Sequence, residues 1–305
     1  MHSVSFARGK WSPKTRTLYE QGWRDFGDWC ELTSTPSLPA EPAAVAAYIT
    51  ERARRLSTST ISLRLHAIYA AHKMQRDKAK TAKERERFAI DSKTPEIADA
   101  WSDIKRAKGT AGVPKDALAT ADIRKVVDKV PAHRLLDRAV LLLGFYSAMR
   151  RSEIAALDRE DIDINPAEMI ITIRRSKTDK SGKGAVIAVA RTNSSYCAVT
   201  ALEAWLAHSE ISSGAIFRSI WGNRMLPERV AQIVKLWGKR AGFNPRGLAG
   251  HSLRRGCITS MHEAGVNFKD GMALSRHKTF QIYSNYVQDK LASENPAVKR
   301  LAQLL

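Results

Sequence analysis

Cysteine is nearly missing from this chain of 305 residues: Cys30, Cys197 and Cys257 stand far apart and are odd in number. That count and spacing argue against a disulfide framework and against a cysteine zinc site. Long apolar runs are missing too. The longest, 139–149, is interrupted by Gly144 and Ser147, well short of the roughly 20 apolar residues a membrane-spanning helix needs. The first residues hold no apolar stretch resembling a signal peptide, so we expect a cytoplasmic, nucleoid-associated protein without a membrane partner. There is also no phosphate-cradling glycine loop and no His, Cys or carboxylate cluster at ligand spacing. Whatever chemistry the chain performs is expected to need no cofactor and no metal.

Acids are in short supply. The chain has 31 Asp and Glu against 50 Lys and Arg, a net charge of +19. The excess is spread over both halves, which suits a protein that grips a polyanion with a broad inner surface. Charge names a partner class and no chemistry, since ribosomal or anionic-membrane proteins share it.

What is present is mostly helical patterning. Ser12-Pro13 opens a first helix through about Cys30, with serine as cap and proline in the first turn. Further helices are predicted over 43–56 and 57–73, and after a charged stretch, 77–87, over 95–108. No strand signal appears before residue 165. Residues 1–108 therefore read as a small helical domain. The glycine- and proline-containing stretch 109–117 reads as a linker, and 118–305 as a second domain. In that second domain helices are predicted over 119–130, 134–149, 195–208, 227–241, 253–264 and 279–289. Isoleucine- and valine-rich segments at 168–174 and 185–190 flank a polar turn and predict a β-hairpin. A short apolar segment with Val298, Leu301, Leu304 and Leu305 ends the chain.

Four segments of the second domain carry chemistry. The first is Arg150-Arg151-Ser152-Glu153, whose spacing brings Glu153 beside Arg150 on one helical turn. The second is Ser176-Lys177-Thr178-Asp179 in the hairpin. The third is His251-Ser252-Leu253-Arg254, and the fourth is His277 with Tyr286 nine residues later. Each has an ordinary reading when taken alone. Arg150 and Glu153 can be a surface ion pair, Lys177 a solvated turn charge, His251 a helix cap, and Tyr286 a packing residue. Arg151 and Tyr283 are the nearby decoys.

Together, in this order and spacing, the segments resemble the tyrosine recombinases, the family of phage integrases and of Xer and Cre recombinases. The resemblance covers about 117–289 and, more weakly, the helical domain. It implies a mainly α fold with a small β-sheet, arranged as a two-domain clamp on double-stranded DNA carrying a specific recombination site. It implies that Arg150, Lys177, His251, Arg254, His277 and Tyr286 are catalytic, with Glu153 supporting Arg150. Tyr286 would be the nucleophile and Lys177 the donor to the leaving 5′ oxygen. The final helix would dock into a neighbouring subunit to give a homotetramer on DNA. The chain departs from the family at Arg276, where glycine is usual before this histidine. Lys73, Arg76, Lys78, Lys80 and Arg255 are candidate DNA contacts, and Arg64 a candidate base reader on an exposed helix face. With about ten residues before the first helix, a separate arm-binding domain is expected to be absent. The rivals are a topoisomerase-like relative that reseals the same strand and a DNA-binding relative with a decayed site. All six catalytic positions being filled weighs against decay.

Overall fold

The computed structural model describes residues 4–6, 11–109, 115–174 and 182–284. The chain forms two compact units, Met1–Val113 and Pro114–Leu305.

The first unit is helical among its described residues: α1 (Pro13–Leu32), α2 (Pro42–Ala53), α3 (Thr58–Lys78), α4 (Ala82–Arg87) and α5 (Pro95–Lys108). Its helix starts follow from local chemistry. Ser12 Oγ accepts the Thr15 amide at 3.2 Å and Ser57 Oγ accepts that of Thr60 at 3.3 Å, each satisfying an otherwise orphaned donor. Proline occupies the first turn of α1, α2 and α5, where its missing N–H costs nothing. The charged stretch 77–87 is more ordered than its composition suggests. Helix α3 continues to Lys78, and Thr81 with Glu84 forms a reciprocal capping box that starts α4;. Trp23, Phe26 and Trp29 of α1 pack with Tyr48, Ile61, Leu65 and Ile68 into one core.

The second unit contains α6 (Thr120–Asp128), α7 (Leu135–Tyr146), α8 (Arg151–Ala156) and a 3₁₀ turn, Arg159–Asp161. Three strands follow, β1 (Ile162–Ile164), β2 (Glu168–Ile173) and β3 (Ala185–Ala190). The remainder is α9 (Ala198–Ser209), α10 (Pro227–Arg240), α11 (His251–Glu263), α12 (Phe268–Ser275) and α13 (Phe280–Ser284). The sheet is antiparallel in the order β1-β2-β3. Its register places Ile171 opposite both Ile162 and Ile187, so one face is continuously apolar;. Strand β1 corrects the expectation that no strand precedes residue 165. Three residues are too few for alternation to register.

Helix α7 is buried over most of its length, which is why its sequence from Ala139 on is almost wholly apolar. It meets α11 closely at Gly144, where an added Cβ would come within 2.7 Å of the Leu253 side chain. Gly256 of α11 is tighter still, since a Cβ there would fall 1.8 Å from the Leu118 carbonyl oxygen. The segment before α6 is thus laid against α11, held by Leu118 N–H to Ser252 O and by Thr120 N–H to Ser260 Oγ. Among the described residues no helix is long and apolar enough to cross a membrane.

Candidate functional site

The site begins where α7 ends. Ala148 takes a left-handed conformation, φ 47°, which turns the chain sharply and aims its carbonyl inward. Arg150 is extended, φ −71° and ψ 148°, and starts α8. Glu153 folds back over this start: Oε2 accepts the Arg150 amide at 2.9 Å and Oε1 accepts Arg150 Nη1 at 2.7 Å. One carboxylate therefore caps the helix and fixes the guanidinium of the same residue. This is no surface pair, because Glu153 is 3% exposed. Burial alone would raise its carboxyl pKa. The Arg150 amide, the charge of Arg276 and the Arg150 guanidinium outweigh that and hold it below the usual value;.

Helix α11 supplies the second arginine. Leu253 enters the core against Gly144, and Arg254, wholly buried, lies in the same first turn. Its Nη1 donates to the Ala148 carbonyl at 2.6 Å, and its Nη2 donates to the Ser275 carbonyl and meets His277 Nε2 at 3.1 Å. His251, at the start of the helix, is exposed. The two residues share a helical turn but not an environment.

The third contribution is the turn after α12. His277 N–H bonds back to the Met272 carbonyl at 3.2 Å, closing the helix with Arg276 in the left-handed region, φ 58° and ψ 41°;. Glycine fits that position without strain. Here arginine adopts it, and its side chain returns to the site: Nη2 pairs with Glu153 Oε2 at 2.8 Å, and Nη1 donates to the Leu274 carbonyl at 3.0 Å. The helix end expected of glycine is therefore made by Arg276, and His277 keeps its place behind it. Ser275 Oγ lies 2.8 Å from His277 Nδ1. Burial first, then the charges of Arg254, Arg150 and Arg276, lower the His277 pKa from 6.5 to about 4. The ring is neutral at physiological pH, and Nε2 can accept from Arg254 while Nδ1 faces the serine.

Tyr283 is 1% exposed. Its ring lies 5.6 Å from that of His277 and 6.0 Å from that of Phe268, and its hydroxyl covers Gly271, where a Cβ would approach it to 2.1 Å. Burial and the neighbouring Cys257 push its pKa up. Tyr283 is a packing residue. Lys177 and Tyr286 lie outside the described residues, as does the segment with Val298, Leu301, Leu304 and Leu305. The last described residue before Lys177 is Arg174, which donates to Asp161 at 2.8 Å and to Asp158. It lines a cleft of about 420 Å³ together with Glu153, Leu157 and Thr172.

In the helical unit Lys73, Lys78 and Lys80 are exposed and Arg76 is half-buried; Arg255 of α11 is half-buried too. Arg64 corrects the expectation of an exposed base reader. It is half-buried on α3, pairs with Asp25, and donates to the Tyr48 hydroxyl at 3.0 Å. Periodicity places a residue on a helix face but does not show that an acid on another helix reaches it. Sequence reasoning also missed Arg276 as a participant, although Ser-Arg-His at a helix end was its signal. Among the described residues no group of three His, Cys, Asp or Glu side chains is arranged to hold a metal ion.

The profile of the phage integrase family matches residues 116–292. The chain is 32% identical over 297 residues to an integrase/recombinase XerD homolog of Selenomonas ruminantium, covering 94% of this chain and 85% of that protein. It is 27% identical over 208 residues to the tyrosine recombinase XerA of Pyrococcus horikoshii, covering 66% of this chain and 67% of that protein. The fold is similar to that of the XerH site-specific recombinase bound to its difH substrate, at a TM-score of 0.70, 14% identity, and coverage of 94% and 78%. It is also similar to a lambda integrase dimer bound to a core site, at a TM-score of 0.64, 14% identity, and coverage of 93% and 92%. With the profile spanning more than half of the residues and a 32%-identical relative spanning nearly all of them, the chain belongs to the phage integrase family, the tyrosine recombinases.

Proposed function

We propose that the chain cleaves and rejoins DNA at a specific recombination site through Tyr286, with Arg150 and Arg254 as the fixed positive charge around the scissile phosphate. The observation that carries this reading is the convergence of three separate segments: Arg254 bonds the Ser275 carbonyl and meets His277, while Arg150 shares Glu153 with Arg276, the residue before His277. Preorganised guanidinium charge is what a phosphodiester needs when its oxygens gain charge in the transition state.

Tyr286 Oη attacks phosphorus, and the P–O5′ bond breaks. Exposed His251 takes the phenolic proton, Lys177 gives a proton to the departing 5′ oxygen, and the strand is left as a 3′-phosphotyrosyl ester with a free 5′ hydroxyl. His277, neutral at physiological pH, donates a ring N–H to a phosphate oxygen without adding charge. A 5′ hydroxyl from a partner duplex reverses the steps, so bond energy is conserved. DNA carrying the recombination site is the partner, and a homotetramer joined by the apolar terminal segment would bring two duplexes together.

The test is covalent trapping. A nicked duplex selected for binding from a random-sequence library is incubated with wild type, Tyr286→Phe and Tyr283→Phe in the presence of EDTA. Wild type and Tyr283→Phe are expected to form the protein–DNA adduct and Tyr286→Phe to form none. An adduct that survives in Tyr286→Phe would sink the assignment of the nucleophile.

A further inference from the structure

Arg276 has two features that seldom coincide. It carries a full side chain through a left-handed backbone conformation, φ 58°, which disfavours any residue with a Cβ. It also holds a guanidinium in a site where its side chain is only 13% exposed, which disfavours charge. A residue serving only to end α12 needs neither feature. The contacts supply the reason. Arg276 Nη2 shares Glu153 with Arg150, while Nη1 faces the Leu274 and Ser147 carbonyls at 3.0 and 3.5 Å. Ser147 precedes Ala148, whose carbonyl accepts from Arg254. The side chain thus ties the turn that presents Arg150 to the turn that presents His277.

We propose that Arg276 is a positioning residue for strand cleavage, fixing Arg150 through their common Glu153 carboxylate and joining the α7–α8 turn to the α12–α13 turn. It rests on the recombinase reading above. Glu153 alone ties Arg150 to α8; Arg276 ties that carboxylate to the segment that carries His277. An arginine-carboxylate-arginine bridge has one position for its central acid, so the three groups move together or not at all. The bridge of Arg150, Glu153 and Arg276 also carries one net positive charge.

The test uses the full chain and the same nicked duplex, with single-turnover cleavage and duplex affinity measured separately for wild type, Arg276→Gly and Arg276→Lys. Arg276→Gly relieves the left-handed backbone and removes the bridge. Cleavage is expected to slow roughly tenfold to a hundredfold, the range that small misplacements of catalytic groups produce, with duplex affinity within about twofold because the Arg276 side chain is only 13% exposed and its guanidinium is already engaged by Glu153 and the Leu274 carbonyl. Added guanidinium ion should restore part of the rate in Arg276→Gly and leave wild type unchanged, and Arg276→Lys should fall between the two. Wild-type cleavage by Arg276→Gly overturns the proposal. So does a defect lying wholly in affinity, or one that neither guanidinium nor lysine relieves, which would assign it to the backbone. Failure of wild type itself to form an adduct brings down the recombinase reading instead, and the proposal with it.

Discussion

Each compact unit holds a carboxylate that serves two arginines, and the two clusters do different work. In the helical unit Asp25 of α1 receives Arg52 of α2 at 3.0 Å, Arg64 of α3, and the Tyr48 hydroxyl at 2.5 Å. All three partners belong to helices that already pack around Tyr48 and Phe26. In the catalytic unit Glu153 receives Arg150 and Arg276, which lie on turns. The Asp25 side chain is 30% exposed and that of Glu153 2%. A carboxylate near water between rigid helices adds little to a fold the core has already fixed. A buried one between two turns ties those turns to each other, beside the apolar packing of Ala148, Met149 and Leu274. The first cluster trims helix packing, whereas the second is the frame of the site.

The largest effect that separates them is therefore expected at Glu153. Glu153→Ala leaves two half-buried guanidinium groups without their common acid, and breaking a buried pair costs about 3–5 kcal/mol. The urea transition of the catalytic unit should move by that much and cleavage should be lost with it. Asp25→Asn keeps an acceptor for Tyr48 and should move the helical unit's transition by about 1 kcal/mol or less. Equal shifts would show that burial does not distinguish the clusters.

How much of this was legible depends on whether the signal was local. The cap at Ser12, the proline-started helices and the paired strands of 168–173 and 185–190 follow from neighbours in the chain, so sequence patterning found them. The spacing Arg150-x-x-Glu153 announced the ion pair but not its burial, because burial is decided by α7 and by the turn after α12. Arg276 read only as a departure from glycine. Its left-handed backbone and its reach to a carboxylate 123 positions earlier are set by packing. The expected exposure of Arg64 failed for the same reason, since Asp25 lies on another helix. Lys177 and Tyr286 rest on the motif and its resemblance.

A medium effect separates two buried histidines. His72 of α3 and His277 are both lowered in pKa by burial first. His72 then has a single opposing influence, its contact with the Ile68 carbonyl, whereas His277 feels Arg254, Arg150 and Arg276. The folded His277 stays neutral down to about pH 4 while the unfolded chain protonates it near 6.5. Its contribution to stability is therefore complete above pH 6.5 and is lost progressively as pH falls toward 4. His277→Gln should flatten that decline. In Arg276→Gly the His277 titration followed by NMR should move upward while that of His72 stays in place. Movement of both would mean a global loosening and would remove the electrostatic distinction.

The smallest effect concerns DNA binding by the helical unit. Exposed Lys73, Lys78 and Lys80 can each neutralise a phosphate, and every phosphate neutralised adds about 0.9 to the slope of log affinity against log salt. Lys78→Ala should reduce that slope by close to one phosphate if Lys78 is a backbone contact. Arg64→Ala should leave the slope unchanged and lower the helical unit's stability by about 1 kcal/mol or less, since Arg64 is held by Asp25 and Tyr48;. A slope reduced as much by Arg64→Ala as by Lys78→Ala would mean that Asp25 releases Arg64 to DNA. The helical cluster would then be a binding device like its counterpart, and the contrast between the two carboxylates would rest on burial alone.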